Sequence, residues 1–314
     1  MGYVPTCLAV LAIALTGVQT GAADTANRGP LALRVQMLRL AEVDWRLRLA
    51  ATPRCPRAAS GIGVTIDHAA AYRPADRALL ARTLQMGEMP QIAAVAPDSP
   101  ADRAGLRSGD ELLAIGDVRV AETLAQTADP ALFAEDVMDR LADLPEGRPV
   151  SLVVRRGRAS LRKSVVPVAI CASRTMLETR GSLEAHSDSH DIAVTSALVD
   201  FTANDDELAL ILGHELAHVI LEAAVDAPPA ESLAAEQQAD LLGAAIAHCA
   251  GYDMARAAAF WPRFEAQDDL KRERLATHPS PGQREARIRS AATGFTCPID
   301  NWPIHAPSDT GFRR

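Results

Sequence analysis

The N-terminal part of the chain has a helical hydrophobic pattern. Apolar residues recur at helical spacing among Arg and Glu side chains from Leu31 to Ala50, at Leu33, Val35, Leu38, Leu40, Val43 and Leu47. This spacing predicts an amphipathic helix. Pro53 and Pro56 follow it, and proline cannot continue a helix because it has no backbone N–H. We therefore expect the helix to end near Ala50.

In the segment that follows, some hydrophobic residues have the spacing of a helix and others the pattern of β-strands. The sequence predicts a short strand in Gly61–Ile66, helices over Arg77–Leu84 and Ala131–Leu144, and β-like runs at Val150–Val154 and Leu161–Val168. Arg155–Arg158, which contains a glycine, separates the last two runs, so they are predicted to form a hairpin. These elements indicate a small domain containing both strands and helices.

The extreme N-terminus has the pattern of a secretory signal. Leu8–Val18 is nearly unbroken apolar sequence, and the small residues Gly21, Ala22 and Ala23 follow it. The stretch has no Lys or Arg, so an uncleaved anchor stays open as an alternative. No other segment has the roughly 18 uncharged apolar residues that a membrane span needs. We expect a periplasmic or secreted mature chain without a membrane span.

Composition excludes some classes of function. The 314 residues are 48% hydrophobic, which suits a globular protein with two cores. With 32 Lys and Arg against 40 Asp and Glu, the formal charge is -8, and only 4% of residues are aromatic. A nucleic acid partner is therefore not expected, because neither a basic surface nor a stacking platform is indicated.

One short motif carries the clearest chemistry. His214 and His218 are four residues apart in Leu212–Ile220, so on a helix both imidazoles lie on one face and can bind one metal ion. Glu215 can reach a water next to that metal and accept its proton. The alternative is a chance occurrence of this His-Glu-x-x-His pattern in a buried helix.

A third ligand is expected on a second helix. Asp226–Pro229 interrupts the first helical pattern, and a new one starts at Glu231. Glu236 and Asp240 share one face of it, so Glu236 can complete a zinc site while Asp240 orients a ligand imidazole. Small residues there allow close helix packing, at Ala239, Gly243 and Ala244. A solvated acidic helix face is the alternative.

These motifs together resemble the zinc metallopeptidase family of CaaX prenyl protease, HtpX and BepA. The resemblance covers about Met176–Arg289 and includes the late sequence His278–Arg284. It implies a gluzincin fold, one zinc per chain and peptide-bond hydrolysis. It assigns the zinc ligands to His214, His218 and Glu236, the general base to Glu215, the supporting carboxylate to Asp240, and residues facing the active site to His278 and Arg284.

Other positions modify this interpretation. Glu184-Ala185-His186 stands where the family usually has Asn-Ala, so the edge of the substrate cleft is expected to differ. The remaining histidines carry no convincing ligand pattern and are left out of the site: His68, His186, His190, His248 and His305.

A second resemblance covers roughly residues 57–169. Ser99–Leu106 and Gly109–Asp117 resemble the centre of a PDZ domain of the HtrA type, with a short helix stopped by Gly105 and a buried strand through Leu112. Two segments could form its carboxylate-binding loop, Gly61–Val64 and Gly87–Pro90, and neither matches the usual pattern. The resemblance implies a peptide ligand in the PDZ groove.

Four cysteines remain after removal of the signal, which suits an oxidising compartment. Three pairings are possible. We predict Cys55 with Cys171, because they bracket the PDZ segment, and Cys249 with Cys297 within the peptidase region. A bridge between Cys171 and Cys249 would refute this pairing.

The sequence as a whole predicts an α+β protein with a PDZ β-domain and a mainly helical gluzincin domain containing a small sheet. Its expected segments are a signal peptide (1–23), an N-terminal helix (24–56), the PDZ domain (57–169), the peptidase domain (172–297) and a tail (298–314). The expected function is zinc-dependent proteolysis of unfolded or misassembled polypeptides in envelope quality control, with substrate extended along the strand near Ile192. The alternative is a PDZ scaffold or chaperone-like protein with a latent peptidase domain.

Overall fold

The computed structural model describes residues 29–225, 233–267 and 279–299. Within these ranges the helices are α1 (Pro30–Ala51), α2 (Pro74–Leu84), α3 (Pro100–Arg103), α4 (Val120–Gln126), α5 (Phe133–Ala142), α6 (Ser196–Phe201), α7 (Asp205–Val225), α8 (Leu233–Cys249), α9 (Met254–Ala257), α10 (Phe260–Glu265) and α11 (Pro281–Ala291). The strands are β1 (Ala58–Gly61), β2 (Val64–Asp67), β3 (Gln91–Val95), β4 (Glu111–Ile115), β5 (Val118–Arg119), β6 (Val150–Arg156), β7 (Ala159–Val165), β8 (Val168–Cys171), β9 (Arg174–Glu178), β10 (Ala185–Ser187) and β11 (Asp191–Thr195). The predicted α+β class is confirmed.

The predicted N-terminal helix is present as α1, and it belongs to the core of the C-terminal part of the chain. Leu40, Val43 and Leu47 recur on one helix face and are buried in the same cluster as Leu208 and Leu216 of α7. The opposite face of α1 contacts the β-domain, where Trp45 packs with Ala96, Val168 and Ile170. The helix is therefore not a separate segment, because both domains bury part of it.

The β-domain is built around an antiparallel sheet in the order β2-β3-β4-β6-β7, with β5 paired to β4. Its core is formed by apolar side chains of the sheet and of α5, including the fully buried Phe133. Gly105 ends α3 with a positive φ of 71°, a conformation that glycine adopts without strain. The predicted hairpin is confirmed as β6 and β7. The run predicted to reach Val168 is split, because Pro167 cannot donate to the ladder and Val168 starts β8.

The two ends of the β-domain lie side by side. β1 and β8 pair antiparallel, with Ala58 opposite Cys171. The Cys55–Cys171 disulfide joins the same two ends across a Cα–Cα distance of 5.3 Å, and this predicted pairing is confirmed. The β-domain is thus inserted between α1 and the rest of the C-terminal core, and its entry and exit are adjacent in space.

A three-stranded sheet lies next to the long helices, in the order β10-β11-β9. β11 pairs with β10 on one side and, in parallel, with β9 on the other. The expectation that substrate adds to the strand near Ile192 is wrong, because Ile192 belongs to β11 and both of its edges are already paired. In the described part of the chain, the outer edges of this sheet belong to β9 and β10.

The C-terminal core consists mainly of α7 and α8 and the helices that pack on them. The second predicted disulfide is also confirmed, with Cys249 at the end of α8 joined to Cys297. Two disulfides are typical of a protein outside the cytoplasm. None of the helices in the described ranges has both the length and the apolar character needed to cross a bilayer.

The insertion geometry makes a prediction about domain independence. Replacing residues 57–170 with a flexible linker of about four residues should leave a cooperatively folding protein, because the linker spans the short gap between Cys55 and Cys171. A chain that starts at Ala172 should fail to fold, because it loses α1 from the core. Circular dichroism melting of both variants checks this expectation. Equal folding of the two variants would contradict the integral role of α1.

Candidate metal centre

The helix α7 is fixed at its N-terminal end by charges. Three acidic residues occupy its first turn, where the helix dipole favours negative charge. Asp206 is buried, accepts a hydrogen bond of 2.9 Å from the backbone N–H of Asp253, and forms an ion pair with Arg256. Glu207, also buried, forms an ion pair with Arg263. These contacts hold the start of α7 against the segment that contains α9 and α10.

The helices α7 and α8 cross at two glycines. A Cβ atom placed on Gly213 would lie 2.6 Å from the carbonyl oxygen of Gly243, and one placed on Gly243 would lie 2.6 Å from the backbone nitrogen of His214. Backbone atoms cannot move aside as a flexible side chain can, so no larger residue fits at either position. This close approach brings residues of α8 next to the histidines of α7.

The three predicted ligands converge at this crossing. The Nε2 atoms of His214 and His218 are 3.2 Å apart, and the Glu236 carboxylate lies 3.5 Å from the first and 3.3 Å from the second. Ligand atoms at the corners of a tetrahedron around zinc, with bonds of about 2.0–2.1 Å, are separated by about 3.3–3.4 Å. The donor set and its spacing therefore fit a zinc ion. Among the described residues, no other group of three His, Cys, Asp or Glu side chains has ligand atoms that all lie within 4.8 Å of one another.

The electrostatics of this cluster also suit a cation. Burial alone would lower the pKa of His218, but its hydrogen bond to Glu236 and the nearby Glu215, Glu236 and Glu222 carboxylates raise the pKa above its usual value. The cluster thus stabilises positive charge at the imidazole. A metal ion bound there would displace a proton, because metal ligation requires a neutral imidazole.

Asp240 contacts Nδ1 of His214, the ring nitrogen that is not the candidate metal ligand. One carboxylate oxygen of Asp240 lies 3.1 Å from Nδ1 of His214. When Nδ1–H donates to this oxygen, the lone pair of Nε2 is left for a metal ion. Burial would raise the pKa of Asp240, but the charge of Arg284 and the hydrogen bonds from His214 and Arg284 lower it to about 2. Asp240 is therefore an anion and a permanent acceptor.

Arg284 completes the support of His214. Its Nε donates to both oxygens of Asp240, at 2.9 and 3.1 Å, and its guanidinium carbon lies 3.7 Å from the centre of the Trp261 ring. A terminal nitrogen of Arg284 is 3.0 Å from Nδ1 of His214. Arg284 was expected to face the active site. In the structure it lies on the Nδ1 side of His214, away from the candidate ligand nitrogen Nε2, and it acts on His214 through Asp240. His278 lies outside the described residues.

Glu215 is oriented by a residue that the sequence did not point to. Ser187, the last residue of β10, donates a hydrogen bond of 2.9 Å to Oε2 of Glu215. A three-residue edge strand gives almost no hydrophobic periodicity, so the sequence did not indicate this contact. Trp261 was also missed, since an apolar ring next to a charged network has no local signature.

Comparisons with known proteins agree with two parts of this description. Residues 174–227, which include β9 to α7, match the profile of Peptidase family M48. Residues 91–129 match the profile of a PDZ domain. The matched peptidase segment ends before Glu236 and Asp240, so the α8 residues rest on geometry. No curated protein matches the chain.

A solved structure titled "HtrA-type protease AlgW with decapeptide" is similar to part of the chain. The similar region has 24% sequence identity and covers 36% of this chain and 30% of that one, with a TM-score of 0.27. The chain therefore spans less than a third of that protein. The two family profiles together indicate a metallopeptidase region, of a type that is typically zinc-dependent, joined to a peptide-binding module.

The glycine crossing yields a stability prediction. Gly243→Ala should lower the free energy of unfolding by about 1–3 kcal/mol, because the added methyl group forces α7 and α8 apart. The same separation should weaken metal binding. Gly282→Ala on α11 is the matched control, since its Cβ would meet nothing within 4 Å. Denaturant melts and metal titrations measure both effects, and an unchanged Gly243→Ala protein would show that the helices do not need this contact.

The support behind His214 yields a prediction about metal affinity. Asp240→Ala should weaken zinc binding by about 10–100-fold, because His214 loses the acceptor that fixes its tautomer. Arg284→Lys should also weaken binding, since lysine lacks the planar, bidentate guanidinium that pairs with Asp240 and lies over the Trp261 ring. Arg287→Lys is the control, because Arg287 approaches Asp240 only to 3.7 Å. Competition with a chromogenic chelator measures the affinities, and equal values for the two lysine variants would exclude the role of Arg284.

Proposed function

We propose that this protein is a zinc-dependent endopeptidase of the gluzincin type, related to the HtpX and BepA branch of the M48 peptidases. The observation that carries the proposal is the convergence of His214, His218 and Glu236 next to a glutamate, Glu215, that a hydrogen bond holds in place. The M48 match over residues 174–227 supports the same activity. The zinc ligands are His214, His218 and Glu236.

Zinc bound by these residues would supply a Lewis acid that acidifies water and polarises a peptide carbonyl. Glu215 is the general base: it accepts a proton from the attacking water and delivers it to the leaving amine. Ser187 donates its hydrogen bond to Oε2 of Glu215, so Oε1 is left to take part in that proton transfer. Asp240 and Arg284 fix the orientation of His214. His278, which the family resemblance places facing the active site, stabilises the oxyanion in this proposal.

Substrate binds as an extended strand on the outer edge of β10. In the described residues β10 pairs only with β11, so its other edge has unpaired backbone groups. Ser187 connects this edge directly to Glu215. Glu184-Ala185-His186 begins the same edge, so the departure from the family pattern falls where side-chain preference is decided.

The protein acts outside the cytoplasm on unfolded or misassembled polypeptides. Its two disulfides support an oxidising compartment. The predicted signal peptide, residues 1–23, lies outside the described residues. The proposed domains are the PDZ module at 57–169 and the peptidase at 172–297, with α1 contributing to the peptidase core.

A second candidate function is a PDZ scaffold or chaperone-like protein with a latent peptidase domain. One observation favours latency: Arg174 on β9 joins Asp139 of the PDZ helix α5 to Asp191 on β11, each across 2.9 Å. Arg57 of the β-domain also donates to the backbone of Ser189. The PDZ module thus contacts β11 and the turn that joins it to β10, next to Ser187. In this second candidate function, hydrolysis depends on the state of the PDZ module.

The general-base assignment predicts a separation of binding from catalysis. Glu215→Gln should retain one zinc per chain and lose hydrolysis of unfolded casein, because it removes the base and spares every ligand. Glu122→Gln, at an exposed position on α4 away from the candidate ligands, is the control and should keep activity. Metal analysis and casein cleavage measure the two properties. Full activity in Glu215→Gln would exclude the mechanism, and a wild-type protein inactive even with zinc bound would favour the latent alternative.

A further inference from the structure

The large hydrophobic side chains that stay exposed are concentrated on one helix. The described structure exposes nine of them, and four belong to α1: Leu31, Val35, Leu38 and Leu49. Val35 and Leu31 have exposed fractions of 65% and 60%, which are the highest of the nine. Single exposed apolar residues are ordinary, but a group of them on one element indicates a surface that binds a partner.

Three of these side chains form a stripe along the start of α1. At 3.6 residues per turn, Val35 and Leu38 lie about one and two turns after Leu31, so the three side chains point in one direction. The face that packs on α7 points elsewhere. Further along the same direction comes an ion pair between Glu42 and Arg46, at 3.0 Å. We name Leu31, Val35 and Leu38 the apolar stripe.

The shape of this surface argues against a peptide as its partner. Two cavities lie between α1 and the β-domain, and none of the three stripe residues lines either of them. A peptide or a small ligand is held in a concave groove that encloses it. The apolar stripe instead protrudes from a convex helix, which suits a partner that deforms around single side chains.

The size of the stripe argues against a second copy of the chain. A stable protein–protein interface takes roughly 20–30 residues a side. Three apolar side chains, followed by a charged pair, supply only a small part of such an interface. A lipid bilayer has no such requirement, because each apolar side chain that enters it contributes separately.

The helix α2 lies next to the apolar stripe. Arg34 of α1 donates a hydrogen bond of 3.4 Å to Gln91, and the side chain of Gln91 donates one of 3.2 Å to the carbonyl of Leu84, the last residue of α2. Arg34 is one helical turn from both Leu31 and Leu38. The end of α2 therefore adjoins the stripe.

This neighbouring helix carries an excess of positive charge. Arg73, directly before α2, is paired with Asp76 at 2.9 Å, and Asp76 is the one acidic residue of the helix. Arg77 and Arg82 are therefore in excess, and Leu79 between them is 43% exposed. The whole chain has a formal charge of -8, so a basic helix is a local feature. Exposed leucines together with arginines are typical of helices that lie on anionic membranes.

The sequence before α1 supports a membrane partner. The apolar run Leu8–Val18, predicted as a signal or an uncleaved anchor, precedes the helix. Residues 19–29, even if fully extended, span at most about 40 Å. An uncleaved run would thus keep α1 close to the bilayer surface, and cleavage would release α1 next to the same membrane.

We propose that the apolar stripe of α1 and the arginines of α2 dock this protein on the surface of a bilayer that contains anionic phospholipids. The stripe enters the boundary between headgroups and acyl chains, while Arg77 and Arg82 meet lipid phosphates. This docking needs no membrane-spanning segment. It depends neither on zinc nor on hydrolysis, so it goes beyond the proposed function.

The test measures the binding of residues 24–314 to lipid vesicles by flotation. This chain keeps every described residue and lacks the apolar run that would insert by itself. Vesicles of equal parts phosphatidylethanolamine and phosphatidylglycerol are compared with vesicles of phosphatidylcholine. We expect at least about tenfold stronger partition into the anionic vesicles, because two arginines face the lipid phosphates. No partition, or equal partition into both kinds of vesicle, would overturn the proposal.

Apolar variants locate the docking surface. The double variant Leu31→Ser with Val35→Ser should lower the partition into anionic vesicles by about tenfold or more. The matched control, Leu132→Ser with Val166→Ser, removes the same two residue types from the β-domain, where they are 54% and 44% exposed, and should bind like the parent. Unchanged melting temperatures verify both folds. Equal losses in the two double variants would show nonspecific adsorption and refute the site.

A charge reversal tests the contribution of α2. Arg82→Glu should lower the partition by about tenfold, since an attraction to lipid phosphate becomes a repulsion. Arg158→Glu, at an exposed position in the turn between β6 and β7, makes the same change in net charge and is the control. Equal losses in both variants would show that only the net charge matters, which would contradict docking through α2.

A fluorescent reporter separates the bilayer from a second copy of the chain. The emission of Val35→Trp should shift to shorter wavelength when anionic vesicles are added, because the indole enters an apolar environment, while Val166→Trp should show no shift. A shift of Val35→Trp that appears without vesicles and grows with protein concentration would place a second copy on the stripe. That result would overturn the proposal.

Discussion

The candidate metal centre depends on the contact between Gly213 and Gly243. His214 and His218 share a helix face whatever surrounds them, but a carboxylate from another helix reaches them only if the two backbones come very close. The glycines permit that approach, and the resulting distances of 3.2–3.5 Å among the imidazole nitrogens and the carboxylate oxygens fit a tetrahedral zinc site. The ligand geometry is thus a consequence of backbone packing.

The same crossing explains the supporting network. Asp240 is one turn from Glu236 on α8, so the approach that places the ligand carboxylate also places Asp240 against Nδ1 of His214. A buried carboxylate needs a compensating charge, and Arg284 from α11 supplies it while its guanidinium carbon lies 3.7 Å from the centre of the Trp261 ring. Three helices and one aromatic ring therefore determine the orientation of a single imidazole.

The inserted PDZ module is tied to the peptidase sheet and to α1. Its ends are joined by a disulfide, its helix α5 reaches Arg174 of β9, and its residue Arg57 contacts the loop after β10. The small peptidase sheet thus has one edge next to the candidate metal centre and the other next to the PDZ module. Arg57 of the PDZ module is hydrogen-bonded to Ser189, which lies two residues after Ser187, and Ser187 donates a hydrogen bond to Glu215. A structural change in the PDZ module can therefore reach Glu215 through a few covalent and hydrogen bonds.

The sequence by itself determined the local features: the α1 helix, the β6–β7 hairpin, the spacing of His214 and His218 and the face shared by Glu236 and Asp240. These follow from periodicity, because side-chain direction repeats every 3.6 residues in a helix and every two in a strand. The cysteine pairing also followed from chain order. Tertiary structure alone decided that α1 belongs to the peptidase core, that Ile192 lies in a central strand, that Arg284 lies behind His214 and that Ser187 meets Glu215. Each of these depends on which elements become neighbours in space, and hydrophobic periodicity specifies a buried face without specifying its partner.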